Sequence, residues 1–420
     1  MNYRSRSHQA AHLDERRQLD VPAMALVHRG EPAMVTSDGQ LARLIETLRE
    51  DGSFAYDSEF IGELSYHPRL CLVQVASAST LALIDPLAAL DLTPFWELIA
   101  DPSVIKIVHA GDSDIEPVAR HLGRPAANVF DTQIGAGFVG LPYPASLTKV
   151  VLEFSGAMLG RDLGFSDWGQ RPLSPAQMRY AADDVRYLLA VHREMLARLD
   201  ASGRTRYVAE ECAAACEVAR FGFNPRTHYL RVRGRAALPP RSQAVLRELT
   251  VWRDAAARGN DKPPRALLKD EVLVELALRI PVSVAALATV RILPRAIADA
   301  FGVDIVAAAA RARSLPEAEL PAPDAELSAT DKFRSDALFA VLQCFCAGTL
   351  LDQGLVANRK ELEEFYQHVV HGVGTTPSML QGWRGEEVGE RLKSFLLGES
   401  RLAMTWSNGN LRVRSALGET

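Results

Sequence analysis

The stretch FAYDSEF, residues 54–60, decides how this chain is read. Phe54, Ala55, Tyr56 and Phe60 suit a buried strand, yet Asp57 and Glu59 sit in its middle. Successive strand side chains point to opposite faces, so positions two apart share one face. The two carboxylates therefore emerge side by side, with no basic residue between them. Carboxylates that close repel, and one is expected to hold its proton. Taken alone, the pair reads most simply as a strand with its acids facing solvent. Keeping them inside a sheet requires something that neutralises them.

Working outward, strands and helices alternate from Ala33 to about Asp200. AMVTS is a short strand, and DGQLARLIETLRED is a helix with Asp38 as its N-cap and Leu41, Leu44, Ile45 and Leu48 on one face. LCLVQVAS and LALIDPL follow as apolar strands, too closely spaced for a crossover and so antiparallel. VIKIVHA is another strand, and GDSDIEPVARHLG a helix ending at Gly123. SLTKVVLEFSG and SPAQMRYAADDVRYLLAVHREMLARL complete the pattern as helices. The mixture predicts an α/β domain with a mixed sheet. Beyond Gly203 strand signals almost vanish and helices dominate, apart from a tail that alternates on both sides of Asn408-Gly409, a two-residue hairpin signal.

The gross numbers agree with a multidomain globular chain. Its 420 residues are 48% hydrophobic and 24% charged, with net charge −5, a balance that does not by itself suggest a nucleic-acid binder. The five cysteines are an odd number without zinc-site spacing, which predicts free thiols in a reducing compartment. The longest apolar run, LFAVLQCFCAGTLL from Leu338, is too short to span a bilayer, which needs about 20 residues, so no membrane partner and a cytoplasmic location are expected. The first 20 residues are charged and lack a signal core.

Two more acidic positions deserve weighing. Asp114, in HAGDSDI, begins a helix, where the macrodipole favours an acid by about 0.3–1 kcal/mol; Asp112 could fill that role equally well. In YAADDV, Tyr180 and Asp184 are four apart and share a helical face, while Asp183 points about 100° away. Each site alone reads as ordinary surface acid. Together they fit a divalent cation, because hard carboxylate oxygens suit Mg²⁺ or Mn²⁺.

DxE, then an acid in HAGxxDI, then Tyr-x-x-x-Asp, resembles the tyrosine branch of the DEDD superfamily of 3′–5′ exonucleases. DSEF, LIDPL, HAG, DTQIGAGF, SDWGQRPLS and YAADDVRYL in that order resemble the ribonuclease D family within it. Residues 243–281 look like the HRDC domain shared with RecQ helicases, and GLVANRKELEEFY and MLQGWRGEEVG resemble a second, divergent copy. The resemblance implies a ribonuclease H-like exonuclease fold followed by two all-α HRDC-type domains. It implies two divalent metal ions, Mg²⁺ or Mn²⁺, on Asp57, Glu59, Asp114 and Asp184, with Tyr180 orienting the attacking water. His109 reads as a hydrogen-bonded structural residue, Asp131 as a helix cap, and Trp168 and Arg171 as packing for the loop beside the site. The chain departs from the family's usual residues at Ser58 (usually Thr), at Arg161 (commonly Lys) and at Gly164-Phe165 (often a more polar pair).

The expected activity is 3′–5′ exoribonuclease, releasing nucleoside 5′-monophosphates from tRNA precursors and other structured RNA with a free 3′ end, with no obligate protein partner. A DNA exonuclease and a catalytically dead RNA-binding scaffold are the alternatives. Residues 220–270 hold 12 Lys/Arg against 4 Asp/Glu, which suggests phosphate contact. Arg161, Arg231, Arg233, Arg235, Arg247, Arg253 and Arg258 are the candidate RNA ligands. The expected boundaries are an N-terminal extension (1–30), the exonuclease domain (31–203), a basic connector (204–240), a first HRDC domain (241–314), a linker (315–328) and a second HRDC-like domain with its hairpin (329–420). On these boundaries a chain ending near Asp200 would keep all four acids and Tyr180.

Overall fold

One mixed sheet carries the acidic strand. Its members are β1 (Ala33–Val35), β2 (Ser53–Ile61), β3 (Arg69–Ser77), β4 (Leu81–Ile84), β5 (Ile105–Val108) and β6 (Val129–Asp131), in the order β1-β4-β3-β2-β5-β6. β1 is parallel to β4, β2 to β5 and β5 to β6, whereas β3 and β4 are antiparallel, as their short connection requires. The computed structural model describes residues 24–62, 65–321, 327–407 and 410–417. They fall into two compact units. The first comprises the described residues up to Glu59, Cys71–Phe221 and those from Leu327 onward; the second comprises Phe60–Leu70 and Gly222–Glu326, again in their described parts.

In the first unit the sheet is accompanied by α1 (Asp38–Asp51), α2 (Thr93–Ile99), α3 (Asp112–Leu122), α4 (Thr132–Gly137), α5 (Leu147–Ser155), α6 (Pro175–Arg186), α7 (Leu188–Ser202) and α8 (Thr205–Ala215). The α1 stripe Leu41, Leu44, Ile45 and Leu48 is buried as its spacing predicts. Its N-cap is Ser37 rather than Asp38: the Gln40 side chain accepts from Thr36 N and Ser37 Oγ, and Asp38 instead accepts from the Asp91 backbone. Gly123, at φ 66°, stops α3 in the left-handed conformation that glycine adopts without penalty. The long helix expected over residues 174–199 is broken at Tyr187 into α6 and α7. A Ser174–Gln177 capping box starts α6.

The second unit is helical in its described C-terminal part: α9 (Pro240–Gly259), α10 (Pro264–Leu267), α11 (Asp270–Arg279), α12 (Val284–Leu287) and α13 (Arg295–Arg313). Leu246, Leu249, Leu273, Leu276 and Ile305 lie at the centre of its core. Tyr66, from the β2–β3 connection, is counted with this unit and donates to Asp254 at 2.6 Å.

The chain then supplies α14 (Ala329–Thr349), α15 (Gln353–Val356), α16 (Arg359–His371), α17 (Gly382–Arg384), α18 (Glu390–Leu396) and the antiparallel strands β7 (Ser400–Ser407) and β8 (Asn410–Leu417). The Asn408-Gly409 turn lies outside the described residues. These helices do not form a core of their own. Leu342, Phe365, Met379 and Trp383 are buried in one cluster with Phe138, Val151, Val191 and Val208 of the exonuclease fold. Arg384 forms a two-pronged pair with Glu211, and Arg204 pairs with Glu387 at 2.9 Å. The first third of the expected connector is also folded here, since α8 buries Tyr207, Val208 and Cys212. Core packing therefore draws residues 204–221 and 327–396 into the unit that holds the acids, and a chain ending near Asp200 would leave that core open. All five cysteines are free thiols.

Candidate active site

Strand β2 builds the site by alternation. Ala55, Asp57 and Glu59 share one face, and Ala55 packs with Ala182, Val185 and Leu188 of α6 and α7. That contact lays α6 across the sheet, so the carboxylates two and four residues further along β2 meet Asp184. Ligand oxygens of Asp57, Glu59 and Asp184 lie within 4.8 Å of one another. The opposite face of β2 carries Phe54 and Tyr56, packed on Phe95 at ring separations of 6.3 and 6.1 Å. Tyr56 Oη donates to the Asp114 carbonyl at 3.1 Å and Ser58 Oγ donates to Asp114 Oδ1. Asp114 thus reaches β2 from α3, stands beside the three-carboxylate group and is not one of its members.

The turn that presents Asp114 is held by Asp131. Its carboxylate accepts from Ala110 N and Gly111 N, both at 3.0 Å, and also caps α4 through Gln133 N. A Cβ at Gly111 would sit 2.5 Å from Val108 Cγ2, so only glycine fits at that corner. His109 contacts Thr132 Oγ1 at 3.0 Å and the Ala145 carbonyl at 3.1 Å, and burial lowers its pKa. It lines the cleft wall.

Asp112 and Asp183 lie outside the three-carboxylate group. Asp112 is exposed at the start of α3. Asp183 accepts from Arg186 Nε at 2.7 Å, and the buried Arg186 also donates to the His28 and Gly30 carbonyls.

Electrostatics fit the gathering of like charges. Burial first, then the charges of Asp57, Asp114 and Asp162, push the Glu59 carboxyl up to about 9. Burial pushes Asp57 up to about 6. Asp114 and Asp184 are raised well above the carboxylate range, by burial and then by Asp57. Without a cation, Glu59 therefore holds its proton at neutral pH. Asp184 Oδ2 is buried and accepts no hydrogen bond. A buried carboxylate oxygen without a partner, on a residue of a carboxylate cluster, suits the oxygen donors a hard divalent cation needs. The residues fit such an ion.

Asp57 and Asp184 open on a cavity of about 550 Å³ that is also lined by His109, Arg161, Arg179, Tyr180 and Asp183, among others. Tyr180 Oη lies 3.4 Å from Asp162 Oδ1, and burial with the nearby carboxylates raises its pKa. The wall between residues 159 and 173 is anchored by Arg171, whose guanidinium takes both Asp85 oxygens at 2.7 Å and the Cys71 carbonyl at 2.6 Å. Trp168 is fully buried behind it. Sequence reasoning missed Asp162, Arg179 and the Asp85–Arg171 clamp. Asp85 lay in a quoted motif, but nothing in its spacing points to residue 171.

The basic candidates divide. Arg161 is exposed at the cleft. The other six lie in the second unit. Arg231 and Arg233 are exposed there, Arg235 donates to Gln243 at 3.0 Å, and Arg247 sits 3.8 Å from Glu248. Arg258 lies over the Tyr66 ring and near Asp254. Arg253 is a correction: it is buried, with Asp270 at 2.7 Å and the Leu268 carbonyl at 2.9 Å, so its charge serves the core of that unit rather than a phosphate. Among the described residues, no helix is long and apolar enough to cross a membrane.

Comparison with known proteins agrees with this geometry. The 3′–5′ exonuclease family model matches residues 32–200 and the HRDC domain model residues 242–308. Ribonuclease D of Gluconacetobacter diazotrophicus is 35% identical over 368 residues, 86% of this chain and 91% of that protein. Ribonuclease D of Escherichia coli is 30% identical over 367 residues, 86% of this chain and 98% of that one. The crystal structure of E. coli RNase D, described as an exoribonuclease involved in structured RNA processing, superposes with a TM-score of 0.77 at 30% identity, covering 88% of this chain and 99% of that one. With DxE on a central strand, a Tyr-x-x-x-Asp helix laid against it and an HRDC domain downstream, the chain belongs to the ribonuclease D family of 3′–5′ exoribonucleases.

Proposed function

We propose that this chain trims the 3′ ends of tRNA precursors and other structured RNAs in the cytoplasm, releasing nucleoside 5′-monophosphates one at a time. The observation that carries this reading is the three-carboxylate group with its unpartnered Asp184 oxygen. Asp57, Glu59, Asp114 and Asp184 would hold two divalent cations, Mg²⁺ or Mn²⁺. When bound, the cations supply a hydroxide nucleophile near neutral pH and stabilise charge on the attacking and leaving oxygens of an in-line displacement.

The protein's own groups orient that displacement. Water adds to phosphorus, the bond to the 3′-oxygen of the preceding nucleotide breaks, and that oxygen takes a proton. Tyr180 stays protonated, because burial and its acidic neighbours oppose phenolate formation. It therefore orients the water by hydrogen bonding and does not act as the base. Arg161 and Arg179 on the cleft wall offer positive charge to the scissile and neighbouring phosphates. The exposed Arg231 and Arg233 of the second unit suit contacts to RNA phosphates.

The test is digestion of a tRNA precursor carrying a 3′ extension, with Mg²⁺ and with EDTA. Cation-dependent release of 5′-mononucleotides, with a product ending at the mature 3′ end, is expected. Release from matched DNA but not from RNA would overturn the substrate class. No release from either would overturn the enzymatic reading.

A further inference from the structure

We propose that Phe165 is a stacking platform for a nucleobase of the RNA strand whose 3′ end enters the acidic cleft, an inference that rests on the function proposed above. Phe165 is 105% exposed, while Trp168, three residues on, is 0% exposed. Scattered apolar side chains on a surface are ordinary. This one is set apart by where it stands and by how firmly its backbone is held.

Phe165 follows Gly164, which abuts the reactive side of the cleft. A Cβ added at Gly164 would lie 3.6 Å from Tyr180 Oη and 3.3 Å from Asp162 Oδ1. Leu159, Leu163 and Arg161, just upstream on the same segment, line the cavity with Asp57 and Tyr180. The segment is pinned at successive points. Gly164 N donates to Asp162 at 2.8 Å, Ser166 N to the Leu163 carbonyl at 2.8 Å and Trp168 Nε1 to the Gly164 carbonyl at 3.3 Å. Arg171 fastens its far end to Asp85 and Cys71 of the sheet. The ring is thus held out by an ordered backbone, and the described residues give it no apolar cover.

A nucleobase supplies such cover. It presents a flat, uncharged face, and stacking on an aromatic ring works with any base, which suits an enzyme that removes nucleotides in turn. The division of labour is also electrostatic: the acids repel the phosphates, Arg161 and Arg179 offset that repulsion, and a phenyl ring grips the base without adding charge of either sign. A phenylalanine has only two side-chain torsions to order, so little freedom is lost on stacking.

The test uses the full chain and its Phe165→Ala and Phe165→Trp variants. Binding of a 5′-fluorescent single-stranded RNA is read by anisotropy in Ca²⁺, and is repeated with oligonucleotides abasic at each 3′-terminal position in turn. Phe165→Ala should weaken binding about tenfold, about 1.4 kcal/mol, and Phe165→Trp should restore it. One abasic position should weaken the wild type by a similar factor and cost the alanine variant nothing further. Because the ring supports no core contact, both variants should melt like the wild type. Alanine binding equal to wild type, or penalties that multiply at every abasic position, would overturn the inference. So would a wild-type chain that self-associates through this face and a Phe165→Ala chain that does not. A wild type that releases mononucleotides while Phe165→Ala is indifferent sinks the stacking role alone. A wild type that neither binds nor digests RNA sinks the proposed function with it.

Discussion

Asp183 and Asp184 are neighbours in sequence, and their substitution should separate stability from catalysis. Asp183 accepts from Arg186 Nε at 2.7 Å; Arg186 is 6% exposed at its side chain and Asp183 23%. Asp183→Asn leaves a buried guanidinium with only the neutral carbonyls of His28 and Gly30 and an amide oxygen. A hydrogen bond to a charged group is worth about 1.5–3 kcal/mol, and partial exposure screens the pair, so the loss should be about 2 kcal/mol. For a unit of this size that is a fall of roughly 4 °C in melting temperature. Activity should stay near wild type, because Asp183 is engaged by Arg186 and is not among the three carboxylates whose oxygens converge. Asp184→Asn should behave oppositely. Its charge is already disfavoured by burial and by Asp57, so the cation-free protein should be no less stable without it. Turnover should fall by several orders of magnitude as a metal ligand is lost. The assay pairs thermal unfolding in EDTA with single-turnover digestion of 5′-labelled RNA in Mg²⁺. An inactive Asp183→Asn alongside an active Asp184→Asn would refute the assignment of ligand and ion-pair acid.

Glu59 gives the pH dependence. Its carboxyl is pushed from 4.5 to about 9, so the folded state binds this proton more tightly than the unfolded state. In EDTA, its contribution is complete below pH ~4.5 and is lost as pH rises toward ~9, about 3 kcal/mol of it by pH 7. Urea titrations across that window should show the decline, Mg²⁺ should offset it, and Glu59→Gln should flatten it. Tyr180→Phe should lower the single-turnover rate by about 10- to 100-fold with RNA affinity unchanged, and an unaltered rate would remove its role. Replacing Arg231 and Arg233 together should make log K less steep in log[salt], by about 0.7 per lost phosphate contact on single strands. Arg253→Ala should instead lower stability by about 2 kcal/mol, since Asp270 would lose its buried partner and keep only the exposed Arg265.

The candidate acids were legible because an ordered set of motifs resembles a known family and because their spacing shows which of them share a face. Two residues apart on a strand and four apart on a helix are the separations that put side chains on one face, and both survive in the linear sequence. The alternating elements up to Asp200 were legible for the same reason. What could not be read is what depends on distant partners. Asp183 and Asp184 differ in role because Arg186 reaches one of them, and the Arg171 clamp joins positions 86 residues apart. The break at Tyr187 left no glycine or proline to mark it. Arg253 looked like its exposed basic neighbours until Asp270 was found beside it. The shared core was hidden because an apolar helical stripe in residues 329–396 says that a face is covered, not what covers it.

That shared core bears on the order in which the protein is made. The strand and helices that carry the acids emerge early from the ribosome, but Trp383, Phe365 and Met379, which fill the same core, come more than 140 residues after α8 has ended. The intervening helical unit is translated in between. The nuclease scaffold thus lacks its hydrophobic complement until α14 to α18 have been made. A chain stopped before α14 would carry Asp57, Glu59, Asp114 and Asp184 without the later residues that complete the core beside them.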